Sequence, residues 1–194
     1  MEDRRQQILS AGLEILREEG LPGFTQPRIA ARTGLRQSHL TYYFPTRTDL
    51  LAAVARQAID IQLEAAKAMV AKVASSKQAA GTIASVVVKH ENTRVLVALN
   101  QAADREPALR ELFNELTDGF VKELRELSDR LALPSTQAAV DLLHALFVGL
   151  SVIDLATSRA RGEARSRAVL DTAFDLLASQ NTHLEKSRGQ RRRS

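Results

Sequence analysis

The 194 residues contain no cysteine and no tryptophan. Six phenylalanines and two tyrosines supply all the aromatics, and glycine and proline number only nine and five. Without cysteine there is no disulfide scaffold and no thiolate metal site, and the chain suits a reducing, cytoplasmic setting. Sparse turn formers with abundant Ala, Leu and Val point to helices, and no strand-like alternation of any length occurs. No uninterrupted apolar run is longer than Ala145 to Leu150, far short of the ~20 residues of a membrane helix. The opening MEDRRQQI lacks the apolar core of a secretion signal. The residues imply no membrane association, no metal and no cofactor. A glycine loop for phosphates, a nucleophile–base spacing and a pair of carboxylates on one apolar face are all missing, which speaks against an enzyme.

Another absence is local. No acidic residue lies between Glu19 and Asp49, while Arg28, Arg32, Arg36 and Arg47 fall in that interval. The last nine residues hold Lys186, Arg188, Arg191, Arg192 and Arg193 without an acid. The net charge is only +4, so the remainder is acidic, and two basic zones attract polyanions, nucleic acid first among them. Acid depletion by itself is a weak signal, because residues 65–90 share it and carry four lysines.

Periodicity and capping divide the chain into nine helices. Ile8, Leu9, Gly12, Leu13 and Leu16 line one face of a first helix over 4–19, ended by Gly20-Leu21-Pro22-Gly23. Thr25 suits an N-cap for a short helix over 26–33 with Pro27 in its first turn. Gly34 turns the chain into a third over 36–44, and Pro45 stops it. Thr46 with Asp49 resembles a capping box for a long helix over 47–72. Ile83, Val86, Val87 and His90 share a face of a fifth helix, and Val95, Leu96 and Leu99 mark a sixth. The seventh starts near Pro107, the eighth runs from a Ser135 cap to about 158, and the ninth covers 163–179. The basic segment 186–194 reads as a disordered tail that adds non-specific DNA affinity or simply solubility. The plan is an all-α chain: a small N-terminal module over 1–50, a helical body over 51–185, then the tail.

Helix, glycine turn, short helix is the pattern of a helix-turn-helix. In LRQSHLTYYFPTR (residues 35–47), Leu40 and Phe44 are one turn apart and face inward. Ser38 and Tyr42 point away, His39 and Thr41 lie on the shoulders, and Arg36 and Gln37 sit at the N-terminal end. Small hydrogen-bonding side chains on the outer face suit a major groove, so Gln37, Ser38 and His39 are candidates for base edges. Thr25, Gln26, Arg28, Arg36, Thr41, Tyr42, Arg47 and Thr48 are candidates for the surrounding DNA, chiefly its phosphates. The competing reading of the same residues is a solvated face on a subdomain that merely packs.

FTQPRIAARTGLRQSHLTYYFPTRTDLL (residues 24–51) resembles the N-terminal signature of the TetR family of transcriptional repressors. The match rests on Thr25, Ile29-Ala30, Gly34-Leu35, Leu40, Tyr42, Phe44, Pro45, Arg47 and Leu50, with spacing kept. Thr41 stands where the family has its first tyrosine, Tyr43 where it has histidine, Arg36 where it has a small hydroxyl residue, and Arg47 where it has lysine. The resemblance implies a homodimer on a palindromic double-stranded operator, with recognition helices about one DNA turn (~34 Å) apart. It also implies a small-molecule effector in the body and pairing through the last two helices.

The eighth helix is apolar nearly all round, as expected of a helix shared with a two-fold partner, although burial within one chain is the other account. Leu146, Leu150, Ile153, Val169, Phe174 and Leu177 are the interface candidates. Met69, His90, Asn100, Phe113, Phe120, His144, Phe147 and Ser151 are candidates for a mostly apolar effector pocket with a few polar anchors, or for ordinary core. Two other functions stay open: a constitutive DNA-binding dimer that needs no ligand, and an all-α enzyme using Asp141 with His144.

Overall fold

The computed structural model describes residues 4–157 and 160–191, the last eleven by backbone alone. Among the described residues it is all-α, with no strand, and the order is α1 (Arg4–Gly23), α2 (Gln26–Thr33), α3 (Gln37–Tyr43), α4 (Arg47–Lys72), α5 (Ser76–Val87), α6 (His90–Ala103), α7 (Pro107–Arg130), α8 (Gln137–Thr157) and α9 (Gly162–Arg191). They form two compact units, Met1–Glu64 with His90–Asp118, and Ala65–Lys89 with Gly119–Ser194.

The first unit is larger than the module expected over 1–50. Ile8, Leu9, Ile15 and Leu16 of α1, Ile29 of α2 and Leu40 of α3 share one core with Leu50, Val54 and Ala58 of α4, with Val95, Leu99 and Ala102 of α6, and with Leu109 of α7. Gly12 allows the close approach in the middle of α1, since a Cβ there would meet Val54 Cγ2 at 2.8 Å and Phe24 at 3.2 Å. The Arg94 guanidinium donates to Arg17 O at 3.2 Å and ties α6 to α1. Arg56 and Glu115 pair α4 with α7 through both carboxylate oxygens. The core that α1, α2 and α3 share with α4, α6 and α7 thus extends the compact unit beyond residues 1–50.

The second unit gathers the end of α4, α5, most of α7, α8 and α9 around Val70, Ile83, Leu127, Leu143, Leu150, Leu170, Phe174 and Leu177. Ala79, Ala80 and Ala84 are almost fully buried on α5, which lets that helix lie close to its neighbours. The Arg130 guanidinium donates to Ala71 O at 3.0 Å and Val73 O at 3.4 Å, covering carbonyls that the end of α4 leaves open. Gly162 begins α9 directly against buried Asp154, and a Cβ there would run into Asp154 Oδ1.

Three expectations are corrected. Helix α5 stops at Val87, and His90 is the first residue of α6. The β-branched run Val86-Val87-Val88 is a poor helix continuation, and Lys89 N closes a turn on Val86 O at 3.0 Å. Thr136 caps α8 in place of Ser135, its hydroxyl accepting from Ala139 N at 3.4 Å. Helix α9 continues to Arg191, through most of the segment expected to be a disordered tail. Leu184, Glu185, Lys186, Arg188 and Gln190 are good helix formers, and no proline interrupts them. Residues 192–194, and all side chains of the basic segment, lie outside the described residues.

Among the described residues α8 is long and apolar enough to cross a membrane, by length and composition. The run-length reading missed this because Asp141, His144 and Asp154 interrupt the run, yet its mean hydropathy stays high. The helix packs into the second core, with Ser151 and Asp154 buried on it, as a bundle helix does.

Candidate functional site

The Thr25 hydroxyl accepts from Arg28 N at 3.4 Å and caps α2. Gly34 closes α2 in the left-handed region, with φ 68°, and its N–H donates to Ala31 O. That conformation costs a residue with a Cβ about 1–2 kcal/mol, and glycine avoids the cost. Thr33 donates its hydroxyl to Ile29 O at 2.9 Å, and Gln7 Nε2 donates to Thr33 O at 3.2 Å, which anchors the turn to α1. Helix α3 follows with one fully buried side chain, Leu40, and Phe44 at its C-cap is also buried.

Everything else on α3 faces outward or stands half-buried. Arg36, Gln37, Ser38, Thr41 and Tyr42 are exposed and His39 is half-buried. Tyr42 is 81% exposed and meets Tyr43 edge-on, ring centroids 5.2 Å apart. Tyr43 is half-buried against the first core. Nδ1 of His39 is buried with no hydrogen-bond partner. A large amphipathic ring left in water, beside amide and hydroxyl groups and without an acid nearby, is a surface prepared for a polar, anionic partner.

Some candidates are occupied within the chain. Thr41 donates its hydroxyl to Gln37 O at 3.0 Å. Arg28 pairs with Glu19. Arg47 Nε donates to Phe24 O at 3.0 Å and Nη2 to Leu21 O at 3.5 Å. Thr48 donates to Glu106 Oε1 at 3.3 Å. Gln26 and Thr25 are half-buried at the start of α2. Helical periodicity places side chains on faces but does not show which hydroxyls and guanidinia already have partners.

The effector candidates do not converge on one described cavity. His90, Asn100 and Phe113 belong to the first unit, and Met69, Phe120, His144, Phe147 and Ser151 to the second. Asn100 is exposed and lines an open cleft of ≈ 570 Å³ with Leu21, Arg47, Thr48, Leu51 and Glu106, where α4 and the α6–α7 turn, distant in sequence, come together. Phe113 is half-buried against the first core. In the second unit Phe120 stacks with His144 at 6.2 Å and meets Phe147 at 6.3 Å. Met69 and Phe147 lie against the second core, and Ser151 donates its hydroxyl to Phe147 O at 3.0 Å. Burial pushes the His144 imidazole below its usual pKa, against a smaller upward pull from Asp141. The Asp141 carboxylate accepts from Gln137 Nε2 at 2.7 Å.

The interface candidates divide by burial. Phe174, Leu177 and Leu150 are buried in the chain's own core, so they are not free to meet a partner. Leu146 and Val169 are half-buried and Ile153 is 52% exposed. The large apolar side chains left outside on α8 and α9 are Leu142, Val152, Ile153 and Leu176. Of the α9 candidates, Phe174 and Leu177 lie in the chain's own core and Val169 is half-buried, while the adjacent Leu176 is exposed.

The family described as bacterial regulatory proteins of the tetR family matches residues 8–54, and a tetracyclin repressor-like C-terminal domain matches residues 74–179. The HTH-type transcriptional regulator RutR of Escherichia coli K12 is 38% identical over 65 residues, 34% of this chain and 31% of that regulator; the chain thus spans about a third of its length. A transcriptional regulator from Rhodococcus sp. RHA1 superimposes with a TM-score of 0.77 at 17% identity, over 92% of this chain and 97% of its own. The multidrug binding protein EbrR, solved with proflavin, gives a TM-score of 0.62 at 26% identity, over 88% and 99%.

Proposed function

The chain belongs to the TetR family of bacterial regulatory proteins, DNA-binding transcriptional regulators, and from that premise we propose that it is a cytoplasmic homodimeric repressor released from a palindromic operator by a small molecule. One observation carries the DNA part: an acid-free outer face of α3, with Gln37, Ser38 and Tyr42 exposed over a sealed Leu40 and Phe44. Gln37, Ser38 and His39 read base edges, while Tyr42, Thr25, Gln26, Arg28, Arg36 and Thr48 lie toward the sugar–phosphate backbone. Two such helices held about one DNA turn apart give the operator its two-fold symmetry.

The dimer rests on Leu142, Val152, Ile153 and Leu176, exposed on the last two helices. Scattered apolar residues are ordinary on a monomer, but this group shares α8 and α9 and suits a second copy. The effector reading rests on the aromatic group Phe120, His144 and Phe147 and on the likeness to EbrR, which binds proflavin. An effector acts only through unequal affinity for DNA-competent and DNA-incompetent states, and DNA must weaken the effector by the same factor.

The test is fluorescence anisotropy on a duplex selected by the protein from a random-sequence pool, across a salt series, with and without proflavin as first effector probe. Saturable binding of dimers, tighter than on unselected DNA and weakened by the probe, is the expected result. Binding equal on every sequence and abolished by salt would overturn the DNA reading. Tight binding that no compound of a cationic aromatic panel weakens would favour the constitutive dimer.

A further inference from the structure

We propose that Arg47 is a positioning residue for DNA recognition, acting through the α1–α2 turn that it holds, and not a phosphate contact. As the first residue of α4, it carries a positive charge at the positive end of a helix, an unfavourable place unless the charge is engaged elsewhere. It is engaged. The guanidinium donates to Phe24 O at 3.0 Å and Leu21 O at 3.5 Å, and lies over the Phe24 ring with its carbon 5.8 Å from the centroid.

The carbonyls it reaches lie just past a break in α1. Gly20, with φ 69° and ψ −164°, interrupts that helix, and past it Phe24 N donates to Leu21 O at 3.2 Å. A guanidinium suits this end because its donors are spread across a planar fork and its face stacks on an aromatic ring; an ammonium offers a single point of charge. Phe24 is fully buried and directly precedes Thr25, the N-cap of α2. Fixing Phe24 therefore fixes where α2 starts, and through Gly34 it fixes the axis of α3.

The first turn of α4 is itself held. Thr46 N and its hydroxyl both donate to Asp49 Oδ2, at 3.0 and 2.8 Å, and Asp49 N donates back to Thr46 Oγ1 at 3.0 Å. The next residue, Thr48, donates to Glu106 Oε1 at the turn between α6 and α7. Arg47 and Thr48 thus tie one helical turn to the α1–α2 turn on one side and to the α6–α7 turn on the other, with the ≈ 570 Å³ cleft bordered by both residues.

The test compares Arg47→Lys and Arg47→Gln with the parent protein on the selected duplex. A positioning role predicts that both variants lose affinity about equally, by roughly 10- to 150-fold, the loss of about 1.5–3 kcal/mol expected of hydrogen bonds from a charged group. It also predicts that neither changes the slope of log affinity against log salt. A phosphate contact predicts near-parent affinity for Arg47→Lys and a slope smaller by about one for Arg47→Gln; that pair of results, or full affinity in both variants, would overturn the proposal. Amide exchange of residues 21–29 without DNA adds a second readout, expected to quicken in both variants. If either variant fails to fold, the parent protein decides by the Arg47 Nε–H resonance in NMR. It should be protected from exchange before DNA is added and unmoved by the duplex; a large shift on binding would sink the idea. Failure to select any duplex at all would count against the DNA reading itself and leave the Nε–H protection as a separate result.

Discussion

The two compact units bury similar side chains and leave different ones outside. Around α3 the exposed residues are Gln37, Ser38, Thr41 and Tyr42, with Arg28 and Arg36 beside them. On α8 and α9 they are Leu142, Val152, Ile153 and Leu176. Burial itself does not separate the units, since both cores are sealed by Leu, Ile, Val, Ala and Phe. What burial leaves over differs between α3 and the pair α8 and α9. A polar, acid-free remainder suits a hydrated polyanion, and an apolar remainder suits a surface that excludes water.

The largest effect that would break this comparison is expected from Ile153→Asp. A carboxylate among the exposed apolar side chains of α8 should convert the proposed dimer to monomer in analytical ultracentrifugation. DNA affinity should fall by about 100-fold or more, because the second half-site is no longer linked to the first. A dimer that survives the change places the interface elsewhere.

Gln37→Ala tests the other face. Loss of a paired hydrogen bond to a base should reduce discrimination between selected and unselected duplexes by about 1–3 kcal/mol, with helicity and melting temperature unchanged. Equal weakening on both duplexes would instead assign Gln37 to the DNA backbone.

Gly162→Ala probes the scaffold behind the apolar face. The added methyl collides with Asp154, and overpacking of this kind costs about 1–3 kcal/mol. The melting temperature should drop, and the Ile153 face should loosen with it. An unchanged melting temperature would show that Asp154 can swing aside.

The smallest effect is a pH dependence. Burial depresses the His144 pKa in the folded chain, with Asp141 opposing it, so below the unfolded-state value near 6.5 the unfolded chain binds the proton first. His144 should therefore contribute a loss of stability as pH falls from about 6.5 through its depressed folded value, and His144→Phe should flatten that limb in denaturant titrations. Glu18 has the opposite preference: its hydrogen bond with Arg32 lowers its pKa and favours its charged form. Its contribution is present above the usual carboxylate range and is lost as pH falls through the folded value.

The helix-turn-helix was legible because its signals are local. Thr25, Gly34, Pro45 and the Thr46–Asp49 pair act within a few residues of themselves, and the caps and turns they imply are those the structure carries. The inward Leu40 and outward Tyr42 followed from helical spacing alone. The arcs of α9 were not legible, because Val169, Leu177 and Leu176 are equally apolar and only the neighbours decide which is covered. Which of the pocket candidates stand together was not legible for the same reason: His90 and His144 look alike as lone histidines, yet one starts α6 and the other stacks on Phe120.

By itself the sequence determined the helical type of the elements, the caps and breaks from the end of α1 to the start of α4, and the polar face of α3, because each depends on spacing and on groups a few bonds apart. Tertiary structure alone decided that α6 completes the core beneath the N-terminal helices and that Leu142 and Leu176 stay outside while Phe174 goes in. It also directed the Arg47 guanidinium to the carbonyls of Leu21 and Phe24. Those outcomes depend on which surfaces meet across long stretches of chain, and composition does not distinguish one leucine or arginine from another until the meeting has occurred.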